Sequence, residues 1–215
     1  MTFGDELNSR LRVAINAQLG DDGAAGGVEQ AVAGLIYGLG RLTDGDEEYV
    51  VVCAHGNHAR LERLAGPNTR VIERPLPAVD RTALTLSSVT ALQPILPLAR
   101  FVWRNTAMRY RARNGGRSRS ASHGHETLAS STGTFGGVGA DVVHFPYQYM
   151  EHVEVPSIYT PWDFQHEHHP EFFSSELLTR RRSLYPAACR ESSAIVAGTL
   201  GVREDICKFT GQPIE

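Results

Sequence analysis

The chain has 215 residues, 41% of them apolar and 21% charged, and a net charge of −3, which predicts an ordinary globular protein and argues against nucleic-acid binding through bulk electrostatics. Its three cysteines are widely spaced and form no CxxC motif, which argues against a disulfide scaffold or a zinc ribbon. The N-terminus is polar and acidic, unlike a signal peptide, and no apolar run reaches the ~20 residues of a membrane span, so we expect a cytoplasmic protein.

Six short apolar runs predict β-strands that are covered on both faces, because they are continuous and β-branched rather than alternating. In chain order these runs are Arg12–Ala17, Tyr49–Ala54, Arg70–Glu73, Asp141–Phe145, Pro156–Thr160 and Ala194–Ala197. Apolar residues at steps of three and four predict a helix from about Val28 to Leu42. A second helix is expected from about Ser175 to Glu191, kinked at Pro186. This alternation of strands and helices predicts a parallel α/β sheet.

The segment 81–139 breaks this pattern. No acidic residue occurs between Arg81 and His125, and seven arginines lie in the stretch LARFVWRNTAMRYRARNGGRSRS. We predict a basic helix from about Ser88 to Arg113, followed by a flexible loop rich in Ser, Gly and Thr. Arginines interleaved with apolar residues suit the surface of an anionic membrane and equally suit a solvated helix face. Peripheral contact with the inner face of a membrane is therefore one of two hypotheses for this segment.

The loop QLGDDGAAGGVEQ follows the first predicted strand. It matches neither the GxGxxG fingerprint nor a P-loop. Its last glycines, Gly26 and Gly27, precede a predicted helix whose free N-terminal N–H groups would suit a phosphate. A plain strand–helix turn explains the glycines as well, so the loop alone leaves both interpretations open.

Polar residues follow two other predicted strands, at the edge where ligands bind in open parallel sheets. His144 lies near the carboxyl end of the strand Asp141–Phe145 and could contact a sugar or a phosphate, or could be satisfied by nearby backbone. The second strand leads into TPWDFQHEHHPEFFS, whose histidines 166, 168 and 169 share no helical face before Pro170, so we predict no metal site. Asp163 with Glu167 or Glu171 could serve glycoside hydrolysis, and a solvated loop would explain the same charges.

Four stretches in chain order resemble the N-terminal half of GT-B-type glycosyltransferases of family 4, also called group 1. They are RVAINAQLGDDGAAGGVEQ, ADVVHFPYQ, PSIYTPWDFQHEHHPEFFSSELLTRRRSLY and SSAIVAGTLGVREDICKFTG. The resemblance implies one Rossmann-like domain over 1–215, with a doubly wound, mostly parallel sheet and 81–139 as an insertion. It implies the acceptor-side half of an enzyme that transfers a sugar from a nucleotide-sugar, with retention, to a saccharide or lipid-linked acceptor. We expect the donor-binding C-terminal domain to be missing after Glu215, and the chain alone to be inactive.

The resemblance also implies roles for particular residues. Asp163 and His166 would face the transferred sugar or the acceptor, and they are catalytic candidates together with His144. The candidates for binding donor or acceptor are Gly26, Gly27, Trp162 and Gln165. Trp162 stands where many family members have a histidine, so a histidine contact to the donor sugar is not carried over.

The nucleotide-sugar would be a substrate, and we expect no cofactor, no metal and no nucleic-acid partner. The resemblance further suggests the synthesis of a cell-envelope polysaccharide or a glycolipid. Two other functions stay open at this point. One is a non-catalytic sugar- or nucleotide-binding module of Rossmann type, and the other is a glycoside hydrolase.

Overall fold

The structure is a computed structural model that describes residues 10–19, 26–74, 128 and 134–213. All of these residues belong to one compact unit. The predicted basic helix lies outside the described residues, and so does most of the loop predicted to follow it.

Six parallel strands form one sheet in the order β3-β2-β1-β4-β5-β6, which confirms the predicted Rossmann-like α/β fold. The strands are β1 (Arg12–Ala17), β2 (Glu48–Cys53), β3 (Thr69–Glu73), β4 (Val142–Phe145), β5 (Ser157–Tyr159) and β6 (Ala194–Ile195). Each strand overlaps a predicted one, and the bounds differ by at most two residues. Continuous β-branched runs therefore located the whole described sheet.

Helices cover both faces of the sheet, as expected for a doubly wound fold. They are α1 (Gly27–Leu39), α2 (His58–Glu62), α3 (Gln165–His168), α4 (Ser175–Glu191) and α5 (Leu200–Thr210). Successive residues of β1 point to opposite faces. Ile15 packs in one core cluster with Val32 of α1, whereas Ala14 packs in a second cluster with Tyr185 and Ala188 of α4. Burial of each large aliphatic side chain contributes about 1.5–3 kcal/mol to folding.

Helix α1 ends at Leu39, three residues earlier than predicted, because Gly40 passes close against another segment. A Cβ atom placed on Gly40 would lie 2.6 Å from the backbone nitrogen of Gly66, and one placed on Gly66 would overlap the Gly40 carbonyl. Only glycine permits this approach.

Helix α4 has the predicted bounds and continues through Pro186. Helix α5 is absent from the prediction, although both of its ends carry standard signals. The Thr199 hydroxyl oxygen accepts a hydrogen bond from the Val202 N–H at 3.2 Å, and Gly211 ends the helix in the left-handed region with a φ of 74°. None of the described helices has the length and apolar character that a membrane span requires.

The loop predicted to be flexible carries core residues near its end. Phe135 is 1% exposed and packs edge-to-face on Phe145, with 5.5 Å between the ring centroids. Leu128 is buried in the same cluster, and Gly136–Val138 form a short 3-10 turn. The prediction rested on the Ser, Gly and Thr content and overlooked two apolar side chains that anchor this part of the segment to the core.

Candidate functional site

The candidate site lies at the carboxyl edge of the sheet, where the parallel strands end. The strand order turns back at the centre of the sheet, because β2 and β3 lie on one side of β1 while β4 begins the other side. In open α/β sheets, ligands bind in the crevice outside the carboxyl edge at such a reversal. The polar segments after β1, β3, β4 and β5 are therefore the relevant ones.

His144 lies on β4 with its side chain on the α1 face, because its register partner on β1 is Ile15. Its Nε2 lies 3.1 Å from the hydroxyl oxygen of Thr160, which follows β5. Burial lowers the pKa of His144 to about 4 because it disfavours the imidazolium. His144 is therefore neutral near pH 7, and its partner is a side chain rather than the backbone.

Trp162 fixes the loop that follows β5. Its backbone is in the left-handed region with a φ of 66°, the only such non-glycine residue in the described part of the chain. Its indole N–H donates to the carbonyl oxygen of Pro146, which follows β4, at 2.7 Å. This bond ties the ends of β4 and β5 together. A strained residue held in this way is typical of functional sites.

Asp163 follows Trp162 and is anchored at one of its oxygens. Oδ1 accepts a hydrogen bond from the Gln165 N–H at 3.3 Å and lies 3.9 Å from Nη1 of Arg181 in α4. The Asp163 side chain is 35% exposed, and Gln165 is exposed at the start of α3. The carboxylate is thus oriented by its neighbours and still reachable by a ligand.

His166 points into the core rather than toward solvent. It is 1% exposed, and its ring centroid lies 4.6 Å from that of Tyr185 and 5.8 Å from that of Phe164. Burial lowers the pKa of His166, although the nearby Glu167 opposes this effect. Its Nδ1 is buried without a hydrogen-bond partner. The structure therefore places His166 behind Asp163, where a direct contact with a substrate is blocked by packing.

The other histidines of the loop face away from one another. His168 Nε2 lies 2.8 Å from Asp205 of α5, and His169 Nδ1 lies 3.4 Å from Glu171. Within the described ranges, no cluster of three or more His, Cys, Asp or Glu side chains is arranged to hold a metal ion. Each of these two rings is instead paired with a nearby carboxylate.

Gly26 and Gly27 lie at the N-terminus of α1, as the sequence predicted. Gly26 has a φ of 51°, which strains any other residue, and no side chain in the described part of the chain caps the helix. Among the described residues, no atom lies within 4 Å of the place where a Cβ of either glycine would stand. Glu29 in the first turn is paired with Arg60 of α2, so its charge is compensated. The open N-terminus remains suited to an anionic group.

Sequence reasoning missed a polar network at the carboxyl edge. Asn16 Oδ1 accepts hydrogen bonds from the backbone and side-chain N–H groups of Gln18 at 3.3 and 3.0 Å. Gln18 Oε1 accepts from Nη1 of Arg74 at 2.8 Å, and Nη2 of Arg74 lies 3.7 Å from Oε2 of Glu151. Glu151 is 2% exposed. The one local signal was an amide residue, Asn16, near the end of an apolar strand.

Comparison of the sequence with protein-family models and with curated proteins gave no match. The predicted residues fall into three places at the carboxyl edge. His144 and Trp162 connect β4 with the loop after β5, Asp163 and Gln165 form a turn in front of the buried His166, and the two glycines open α1.

Proposed function

We propose that the chain is the acceptor-side domain of a retaining glycosyltransferase of GT-B type, similar to family 4, acting in the cytoplasm. The motifs that carry the resemblance lie at the carboxyl edge of a Rossmann-like sheet. Glycosyl transfer from a nucleotide-sugar depends mostly on positioning and on stabilising the charge of the leaving diphosphate. An open helix N-terminus and an oriented carboxylate at one edge are suited to those two tasks.

The observation that carries the proposal is the Trp162 turn. Its left-handed backbone and its hydrogen bond to Pro146 fix the residue before Asp163 against the segment that follows β4. A backbone strain of about 1–3 kcal/mol persists only when the surroundings enforce it. The turn therefore supports a site in which the position of Asp163 matters more than local stability.

The residues would take distinct roles in the transfer. Asp163 would orient an acceptor hydroxyl or accept its proton. His144, neutral and hydrogen-bonded to Thr160, would donate or accept a hydrogen bond without adding charge. Gly26 and Gly27 would let the leaving diphosphate approach the N-terminus of α1. His166 would support Asp163 from the core.

A transfer assay tests the proposal. The 215-residue chain is assayed alone and with a donor-binding Rossmann-like domain joined after Glu215, using several labelled nucleotide-sugars and saccharide or lipid acceptors. Transfer is expected only from the two-domain protein. Saturable sugar or nucleotide binding without turnover would favour the binding module, and hydrolysis of a glycoside without any nucleotide donor would favour the hydrolase.

A further inference from the structure

The guanidinium of Arg181 in α4 stands beside Asp163 and forms no hydrogen bond within the described ranges. A guanidinium carries several N–H donors, and in folded proteins such donors nearly always find acceptors when they are largely shielded from water. The neighbouring Arg182 follows this rule, because its Nε and Nη2 donate to the two carboxylate oxygens of Glu167 at 3.0 Å each. Arg181 instead keeps N–H donors that are available to a ligand at the candidate site.

We propose that Arg181 is a second binding residue of the Asp163 site and that the two side chains together bind one hydroxyl group of a neutral saccharide. The hydroxyl oxygen accepts a hydrogen bond from the guanidinium, and the hydroxyl O–H donates to the carboxylate. The inference deepens the proposed function, and it rests on that function only in naming the saccharide as the acceptor of the transferred sugar.

The distance between the two side chains suits a bridging oxygen. Nη1 of Arg181 lies 3.9 Å from Oδ1 of Asp163, which is too long for a direct hydrogen bond. An oxygen at an ordinary hydrogen-bond distance of about 2.8 Å from each of these atoms spans the separation. Oδ1 also accepts from the Gln165 N–H, and a carboxylate oxygen has capacity for a second donor. The Asp163 and Arg181 side chains are 35% and 23% exposed, so solvent reaches both of them.

Aromatic rings hold the guanidinium in place without using its donors. Cζ of Arg181 lies 4.8 Å from the ring centroid of Phe173 and 5.9 Å from that of Tyr185. A cation over a ring is attracted by the π electrons, and this attraction requires no N–H group. On the other side of the pair, the Gln165 N–H orients the Asp163 carboxylate. Because both partners are held by their neighbours, little side-chain freedom is lost when a hydroxyl binds.

The opposite charges of the pair favour a neutral group over an ion. A phosphate or carboxylate that approached Arg181 would also meet the carboxylate of Asp163, and a cation that approached Asp163 would meet the guanidinium. A hydroxyl has a donor and an acceptor and carries no charge, so it can satisfy both side chains at once. The site should therefore bind neutral saccharides in preference to small anions.

The test uses the isotope-labelled full chain and follows the amide NMR signal of Gln165, because this N–H donates to Asp163. The neutral probes are methyl α-glucoside and methyl α-mannoside, and the anionic probes are glucose 6-phosphate and acetate. Wild-type protein should bind at least one neutral probe saturably and both anions more weakly. Asp163→Asn and Arg181→Gln should each weaken the neutral probe about tenfold or more, since each removes a hydrogen bond to a charged group. Arg180→Gln, exposed in the same helix, is the matched control and should bind as wild type does.

A double-mutant cycle tests whether one hydroxyl bridges the pair. Once either side chain is replaced, the bridge is already broken, so Asp163→Asn combined with Arg181→Gln should be at most about threefold weaker than the weaker single variant. Losses that multiply in the double variant would overturn the shared hydroxyl. The inference would also be overturned if folded wild-type protein bound no neutral probe, or if it bound either anion more tightly.

A second variant serves if Arg181→Gln does not fold by circular dichroism. Arg181→Lys keeps a positive charge near Asp163 but replaces the planar fork of donors by one ammonium group, and it should weaken the neutral probe about threefold or more. Wild-type affinity in Arg181→Lys would contradict the proposal. Saccharide binding that depends on both residues, without transfer by the two-domain protein, would retain the site and reject the glycosyltransferase. Transfer at an unchanged rate in two-domain Arg181→Gln would do the reverse.

Discussion

The imidazole of His144 and the hydroxyl of Thr160 form a hydrogen bond of 3.1 Å that joins β4 to the residue after β5. The bond lies beside the Trp162 turn, in a place where burial disfavours charge on the ring. A charged imidazolium at this position would have to be desolvated, and no carboxylate in the described ranges contributes to its pKa. His144 is consequently suited to hydrogen bonding and poorly suited to carrying a proton at neutral pH.

This relationship predicts how stability changes with pH. Above the unfolded pKa of 6.5, neither state protonates His144 and it contributes no pH dependence. Between pH 6.5 and about 4 the unfolded chain binds the proton and the folded chain does not, so stability falls as the pH is lowered. His144→Gln should reduce the decrease in unfolding free energy between pH 7 and pH 5, measured with urea. The same substitution at exposed His169 should leave that decrease in place, and identical curves for His144→Gln and wild type would contradict the assignment.

Replacing Asp163 tests its role in transfer. Asp163→Asn keeps the shape and the acceptor oxygen for the Gln165 N–H but removes the charge. In the two-domain enzyme kcat should fall about 10²-fold or more, with a smaller change in donor binding. Glu171→Gln, in the same loop and 60% exposed, is the matched control and should keep its kcat. An unchanged kcat in Asp163→Asn would leave Asp163 with a structural role in its turn.

Two glycine substitutions should have opposite effects on stability. Gly66→Ala places a methyl group against the Gly40 carbonyl, and we expect a loss of about 2 kcal/mol or more. Gly34 lies in α1, and the methyl group of Gly34→Ala would stand in open space among the described residues. Because alanine has a higher helix propensity than glycine, this substitution should stabilise the protein by about 0.5–1 kcal/mol. Urea denaturation of the two variants measures both effects. Equal stability of the two would show that the approach of Gly40 to Gly66 is not tight in solution.

The histidine-rich loop should bind no transition metal stoichiometrically. His166 is enclosed by aromatic rings, and His168 and His169 pair with carboxylates in different directions. Elemental analysis of purified, dialysed protein measures the bound metal. One zinc ion per chain that disappears in His166→Ala would contradict this expectation.

The sequence predicted more of the fold than of the candidate site. Continuous β-branched runs located every strand of the described sheet. A strand that is buried on both faces consists almost entirely of apolar residues, and such a run is easy to recognise in the sequence. Helix α5 was not predicted, because its many polar residues obscure the apolar pattern of a helix. The N-cap residue Thr199 and the C-cap residue Gly211 were not sufficient to indicate it. The burial of His166 was missed for a related reason, because a helix of four residues has no recognisable period.

Local sequence patterns could not predict the polar network at the carboxyl edge of the sheet. Asn16, Arg74 and Glu151 are far apart in the chain and meet only because β1, β3 and β4 end at one edge of the sheet. Arg74 and Glu151 viewed alone resemble ordinary surface residues, and only Asn16, an amide within an apolar strand, gave a local signal. Topology, which fixes which strand ends are neighbours, was needed before their proximity could be seen.

The position of β1 at the centre of the sheet also constrains how the chain can fold. Arg12 contacts Glu48 across 36 residues but Asp141 across 129 residues. During synthesis β1, β2 and β3 can associate early, whereas β4 joins only after a much longer loop has been closed. Until then β1 is an open edge whose apolar residues and unpaired backbone groups could pair with another nascent chain. The slowest and most aggregation-sensitive step of folding is therefore expected to be the docking of β4, and chaperones that delay premature pairing should act on the interval before residue 142 emerges.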